Sequence, residues 1–414
     1  MRGRTTAAWL LTGALLAGCT GQPMPTTSSP VAEPSVTSAA PSVTPTATAT
    51  SSVPTGDVPV GAGATLEVAP VDYGGKTLVR AGFADTHRVS RRPVALQRRV
   101  GSSWQEVAVT PMGKAGDAEF MVAGSGGSYR AVALAAAGAA KAVATPTRKA
   151  GDQWARVLDS GFDGTSLKKP WDFRLTDVYD AGGRWCSAPR KRNVAVKKGT
   201  VTLTMSKASK AVSTRVAASA RAKQSRAGEK VVGCPEGVFD NAMVSTQGRF
   251  TVPSGIVAAR VKFPREPGAH ASVWLQSDAG QELDMIETFG HGRGVTNVIH
   301  VRGAKMPADG KQAYVAPKLV ADPAWWDAWH TVSVEWDRSR VRFRLDGRLT
   351  RELKVNLAPA NYFLVISLLS SDWETYRLTK PDARPGSGVD VADVAKPRLP
   401  FSMQVDWVRA WRPR

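Results

Sequence analysis

From residue 154 onward the sequence is a series of short runs in which apolar and polar residues alternate, separated by turn-forming residues. NVAVKKGTVTLTMS (193–206), GRFTVPSGIVAARVKFP (248–264), ASVWLQS (271–277) and YFLVISLL (362–369) show the pattern. A period of two sends one face of each run into a core and the other outside it, which specifies strands. In WHTVSVEWDRSRVRFRLDGRLT (329–350), two such runs flank Asp337-Arg338-Ser339, and Asp346-Gly347 marks the next tight turn. Long amphipathic helices are missing from the pattern. About 260 residues of short strands fit one large antiparallel jelly roll of two sheets better than two small sandwiches. The expected class is all-β, with the jelly roll at 154–414.

Residues 57–147 repeat the signal on a smaller scale. PVALQRRVGSSWQEVAV (93–109) is two alternating runs across a Gly-Ser-Ser turn, and SYRAVALAAA (128–137) reads as a closing strand. A small N-terminal β-sandwich is expected, resembling immunoglobulin or fibronectin modules, with residues 148–153 as a linker. Ahead of it lies a segment unable to bury a core. From Thr20 to Gly56, 23 of 37 residues are Ser, Thr or Pro, with one charge (Glu33) and no aromatic, so 19–56 is expected to be a disordered tether. At about 3 Å per residue it would reach on the order of 100 Å. Residues 1–18 hold Arg2, Arg4 and an apolar run from Ala7 to Ala17 that is too short to span a bilayer, as in a signal peptide. Leu16-Ala17-Gly18-Cys19 resembles a bacterial lipobox, which implies lipidation of Cys19 and a place on the outer face of the cytoplasmic membrane, reaching into the cell wall.

The remaining cysteines, Cys186 and Cys234, form an even pair in an exported chain, and a disulfide between them is expected. No paired CxxC or HExxH string suggests zinc. The net charge of +20 is unevenly placed: between Arg190 and Lys230 there are twelve Lys or Arg and one acid, Glu229. Such a run is either a solvated surface or a contact for a polyanion, such as an acidic wall polymer or an anionic membrane. Export and the lack of a nucleic-acid motif argue against nucleic acid as a partner.

One strand breaks the pattern. ELDMIE (282–287) places Glu282 and Asp284 on one face, but Glu287 has the wrong parity to join them. A β-bulge near Met285 and Ile286 would rotate Glu287 onto that face. With the bulge counted as one step, Glu282 and Glu287 stand about 13 Å apart at Cα, and inward-leaning side chains bring their carboxylates within about 5 to 6 Å. Retaining glycosidases need about 5 to 5.5 Å, whereas inverting ones hold a water in a wider gap. Like charges at this range push pKa values apart, so one acid can be ionised while another holds a proton. Spacing alone leaves open the alternative that these are exposed charges on an edge strand.

ELDMIE also fits the E-[ILV]-D-x-x-E signature of glycoside hydrolase family 16 in its bulged, laminarinase-like form. NVAVKKGTVTLTMS, MVSTQGRFTVPSGIVAARVKFP, HASVWLQS, NVIHVRG, WHTVSVEWDRSRVRFRLDG and FSMQVDWVRAW resemble successive segments of that family over about residues 156 to 413. The resemblance implies a concanavalin-like two-sheet jelly roll with a glycan cleft. In it Glu282 is the nucleophile, Asp284 its helper and Glu287 the general acid/base. Trp274 and His300 match cleft positions, and Trp185, Asn241 and Trp373 fall in subsite neighbourhoods. Trp325, Trp326, Trp329, Trp336, Trp407 and Trp411 are read as core. The chemistry needs no cofactor; a structural calcium is implied, with Asp406 as its candidate ligand. Ser277-Asp278-Ala279-Gly280-Gln281 and Ser370-Ser371-Asp372-Trp373 depart from the family's Trp-Pro-x-x-Gly and Gly-Gly-x-Trp segments where subsites are built. The resemblance therefore fixes cleft chemistry more firmly than linkage. The expected protein is a monomeric, retaining, endo-acting hydrolase of a β-linked glucan (β-1,3 or mixed-linkage) or galactan. Its alternatives are a transglycosylase remodelling surface polysaccharide and a non-catalytic glycan-binding surface protein.

Overall fold

The computed structural model describes residues 53–84, 91–124, 126–136, 139, 141–178, 186–226, 234, 237–266, 269–290, 295–300, 313–314, 322–370 and 398–414. The signal peptide, Cys19 and nearly all of the tether lie outside these residues, as do Trp185 and Trp373. No helix among the described residues is long and apolar enough to cross a membrane.

The first strands are β1 (Thr65–Val68), β2 (Lys76–Gly82), β3 (Pro93–Val100), β4 (Ser103–Pro111), β5 (Asp117–Ala123), β6 (Ser128–Ala133), β7 (Val143–Ala144) and β8 (Arg148–Lys149). They form two small sheets, β1-β2-β5 and β4-β3-β6-β7, with β8 also on β6. Strict alternation along β5 buries Ala118, Phe120 and Val122 against Val94 and Leu96 of β3 and Tyr129, Ala131 and Ala133 of β6. The stretch read as a linker holds β8, whose Arg148 and Lys149 pair with Tyr129 and Ser128.

The larger part begins with β9 (Trp154–Ser160), β10 (Asp172–Phe173), β11 (Ser187–Pro189), β12 (Val194–Lys197) and β13 (Thr200–Lys207). Helix α1 (Lys210–Arg226) then interrupts the strands before β14 (Phe239–Ser245), β15 (Gly255–Lys262), β16 (Ala269–Ser277), β17 (Glu282–Thr288), β18 (Val295–His300) and β19 (Ala313–Tyr314). The one-turn helix α2 (Pro323–Trp326) leads into β20 (His330–Trp336), β21 (Arg340–Leu345), β22 (Arg348–Lys354), β23 (Tyr362–Ser370) and β24 (Phe401–Pro413).

Pairing runs β19-β18-β17-β16-β23-β14 in one layer and β13-β24-β15-β20-β21-β22 in the other. The layers join where Ser206 and Lys207 of β13 meet Asp240 and Phe239 of β14. Their facing sides share one core: Val273, Leu275, Leu283, Ile286, Leu364 and Ile366 from the first layer meet Val257, Ala259, Val332, Val334, Val405 and Phe343 from the second. This is the all-β jelly roll the alternation calls for.

Two features differ from expectation. The basic segment contains a helix of 17 residues, α1. Its sequence hides the helix because only one pair at helical spacing, Val212 and Val216, packs against Val238 and Cys234. Trp325, Trp326 and Trp336 lie in the jelly-roll core, but Trp407 and Trp411 project from the opposite face of their layer. There they pack with Ile256 and Ala258 against Ala69, Val71, Tyr73 and Leu78 of the N-terminal unit. That unit is thus seated on the outer face of the layer that does not carry the acidic strand. Trp329 carries Arg260, whose guanidinium lies 5.2 Å from the ring centre.

Candidate active site

The acidic strand β17 lies between β16 and β18, and register locates each carboxylate. Glu282 is opposite Gln276, Asp284 opposite Trp274, and Glu287 opposite Ser272. Those partners are spaced evenly by two on an unbroken strand, so all three acids stand on one face. The extra residue is absorbed between Asp284 and Glu287, where both neighbours show a register shift. Met285 and Ile286 are both buried, each with 1% of its surface exposed. The bulge therefore feeds two successive side chains into the core and returns Glu287 to the face of the other acids.

Rows of side chains cross this face at right angles to the strands. One row holds Met243, Ser367, Ser272 and Glu287; the next holds Ser245, Val365, Trp274 and Asp284. Phe363, Gln276 and Glu282 follow on one side, and Leu369 and His270 on the other. Met243, Phe363, Val365, Leu369 and Trp274 form a separate apolar cluster, the floor between the polar rows. The indole of Trp274 is oriented by its N–H donating to Ser367 Oγ at 3.1 Å. Asn241 is buried on this face, and its backbone carbonyl accepts from Arg190 N–H.

Asp284 is 2% exposed, and its carboxyl is held well above the usual carboxylate range. Burial is the main cause, followed by the charges of Glu282 and Glu287 and a side-chain hydrogen bond with Glu282. Of the three acids, Asp284 is the one whose protonated form this setting favours, with Glu282 as its hydrogen-bond partner. At the other end, Glu287 Oε1 is 2.8 Å from His270 Nε2, and the imidazole stacks on Phe289 with ring centres 4.7 Å apart. The sequence reading passed over His270, although HASVWLQS places it four residues before Trp274, the spacing of one strand face. His300 is opposite Glu282 in the β17–β18 ladder.

Arg174, just after β10, also reaches the site. Its guanidinium carbon stands 5.2 Å from the centre of the Trp274 ring and 4.9 Å from that of Phe363, and Nη2–H donates to Gln276 Oε1. Burial lowers its pKa to about 10, with the charge of Glu282 opposing the shift. Nothing in the pattern WDFRL singles it out, because a residue between strands has no periodicity to place it.

Behind the site, Cys186 and Cys234 form a disulfide with Cα atoms 5.6 Å apart, as their pairing in the sequence predicts. Cys186 adjoins Ser187, whose hydroxyl accepts from Ser370 Oγ at the end of β23. Asp406 occupies a bulge in β24 and accepts from Arg260 Nη1 at 2.7 Å. Among the described residues no group of three or more His, Cys, Asp or Glu side chains is placed to hold a metal ion.

Three acids in successive rows beside an apolar floor, on one layer of a jelly roll, form the candidate active site. The model for glycosyl hydrolases family 16 matches residues 185–386, a span holding all three acids. The matched span is 202 of the 414 residues, and the chain is a glycosidase acting on O-glycosyl bonds. No curated protein matches it. Among solved structures, the laminarinase catalytic domain from Thermotoga maritima MSB8 is similar at 17% identity and a TM-score of 0.44, over 64% of this chain and 100% of that one. The endo-β-1,3-glucanase from Pyrococcus furiosus aligns at 16% identity and a TM-score of 0.45, over 63% of this chain and 95% of that one. The laminarinase from Flavobacterium sp. UMI-01 aligns at 15% identity and a TM-score of 0.44, over 62% and 100%. Likenesses this distant transfer no substrate.

Proposed function

We propose that the protein is an endo-acting, retaining glycosidase that cleaves a β-linked glucan or galactan by double displacement. The observation that carries the reading is the bulged register, which brings Glu282, Asp284 and Glu287 into successive rows with Asp284 between the two glutamates. Glu282 attacks the anomeric carbon as its carboxylate while Glu287 gives a proton to the departing glycosidic oxygen. Glu287, now ionised, then takes a proton from water, and the hydroxide so generated releases the sugar from Glu282. The Asp284 proton, directed at Glu282, holds the nucleophile in line and spreads its charge before attack. His270 anchors Glu287 through Oε1. Rows of cleft residues on both sides of the acids suit a polymer bound along its length, which supports internal cleavage.

Export on a lipid at Cys19, with residues 19–56 as a tether, would hold this cleft within the cell wall. The basic segment around α1 would contact an anionic wall polymer or the membrane.

Glu282→Gln is expected to lower turnover at least about a thousandfold with the fold intact, because no covalent intermediate can form. New reducing ends from β-1,3-glucan, mixed-linkage glucan and β-galactan, with circular dichroism as the fold check, measure it. Near-normal turnover in this variant would remove Glu282 from the chemistry.

A further inference from the structure

Arginines set deep in this protein spend their donors on oxygen. Arg92 gives its guanidinium to the carbonyls of Leu134, Ala133 and Lys141. Arg130 bonds the carbonyls of Pro54 and Gly56 and the side chain of Gln97. Arg80 holds two carboxylates, Glu67 and Glu335, and Arg344 holds both oxygens of Glu119. Arg174 differs from all of these. Among the described residues its guanidinium has one hydrogen-bonded partner, the neutral amide of Gln276, and its Nε and Nη1 are buried without one. Arg80 and Arg344 also leave one nitrogen each unpartnered, but each already has a carboxylate against it.

The position of Arg174 is as telling as its partners. Its guanidinium carbon stands over Trp274 and Phe363, at 5.2 and 4.9 Å from the centres of these two aromatic rings of the cleft floor, in the rows of Asp284 and Glu282. A sugar entering the cleft beside Glu282 therefore meets a guanidinium where a bare aromatic platform would otherwise stand. Buried N–H donors left without acceptors carry a desolvation cost, and a charged acceptor recovers more of it than a hydroxyl does. An anion beside Glu282 would be repelled by the acids unless a fixed cation offsets them, and Arg174 is that cation.

We propose that Arg174 is a specificity-determining residue, and that the polysaccharide carries an anionic group, a carboxylate or a sulfate ester, on the sugar bound over Trp274 and Phe363. This rests on the glycosidase reading for the identity of the cleft, but its test does not depend on turnover. Affinity electrophoresis of the full chain would be run through gels holding laminarin or agarose, and their carboxymethylated and sulfated derivatives, for wild type, Arg174→Met, Arg174→Lys and Arg215→Ala. Arg215 lies on exposed α1 and controls for general attraction of a basic protein to a polyanion.

Wild type is expected to bind an anionic derivative more tightly than its neutral parent. Arg174→Met should lose about tenfold of that affinity, the worth of one charge-assisted hydrogen bond, with binding of the neutral parent changed less than twofold. Arg174→Lys should recover part of the loss and Arg215→Ala should show none. Equal losses on neutral and anionic polymers, or no loss, would overturn the proposal. So would unchanged polymer binding together with a shifted pH profile of turnover in Arg174→Met, which would make Arg174 a positioning residue for Glu282. If the anionic preference depends on Arg174 while neither wild type nor Glu282→Gln cleaves any polymer, the hydrolase reading fails and the anion site stands.

Discussion

The two outer faces of the jelly roll both draw charge out of water, and they treat it in opposite ways. On the face that receives the N-terminal unit, charges meet opposite charges. Arg80 bridges Glu67 of its own unit and Glu335 of β20, and Arg344 of β21 takes both oxygens of Glu119. Tyr73 completes the seam with a 2.8 Å hydrogen bond to Ser333, and burial raises its phenol to about 12. On the cleft face, like meets like. Three carboxylates share one strand face, the Asp284 carboxyl is pushed well above the usual carboxylate range, and Arg174 rests by aromatic rings instead of on an acid. A seam between parts of one chain can be optimised until each charge has its complement. A site that must receive something leaves complements unmade, because the ligand or transition state supplies them.

That contrast can be tested by removing one group at a time. After Glu282→Gln, Asp284→Asn should have the next largest effect, lowering turnover about a hundredfold, since the amide cannot share a proton with the nucleophile. Its effect on stability should have the opposite sign. The folded protein raises the Asp284 pKa above the unfolded value, so the stability linked to its proton is complete below the unfolded pKa and is lost as pH rises through the folded one. An amide has no proton to lose, so the melting temperature of the variant relative to wild type should climb with pH. Parallel melting curves across that range would show that Asp284 is not proton-bearing.

Arg80→Met strands the carboxylate of Glu67 and leaves Glu335 with Arg342 alone, and should cost about 2 kcal/mol, less than a fully buried pair because both acids keep some contact with water. The denaturation midpoint reads this, and turnover at 25 °C should be unchanged. A matching loss of activity would mean that the seam and the cleft are coupled across the core. Tyr73→Phe should be mildest, about 1 kcal/mol for one neutral hydrogen bond, again with no change in turnover.

The legible part of this molecule is the part governed by local periodicity. Alternation in β16, β20 and β23 defines their faces without knowledge of their neighbours, because the pleat has a period of two wherever a strand runs. The parity break in ELDMIE even locates the bulge, since only an extra residue returns Glu287 to the face of Asp284. Helix α1 escaped because its contact surface is two valines. His270 escaped because an isolated histidine gives no signal until strand register shows which acid lies beside it.

By itself, then, the sequence determined the strands, the acidic face, the paired cysteines and the all-β class, each a consequence of spacing along the chain. Tertiary structure alone decided that Trp407 and Trp411 are covered by the N-terminal unit, that Glu287 is held by His270, and that Arg174 reaches the cleft floor from outside the strand ladder. Those contacts join residues 17 to more than 300 positions apart. Chain spacing carries no record of such distances, and packing brings their ends together.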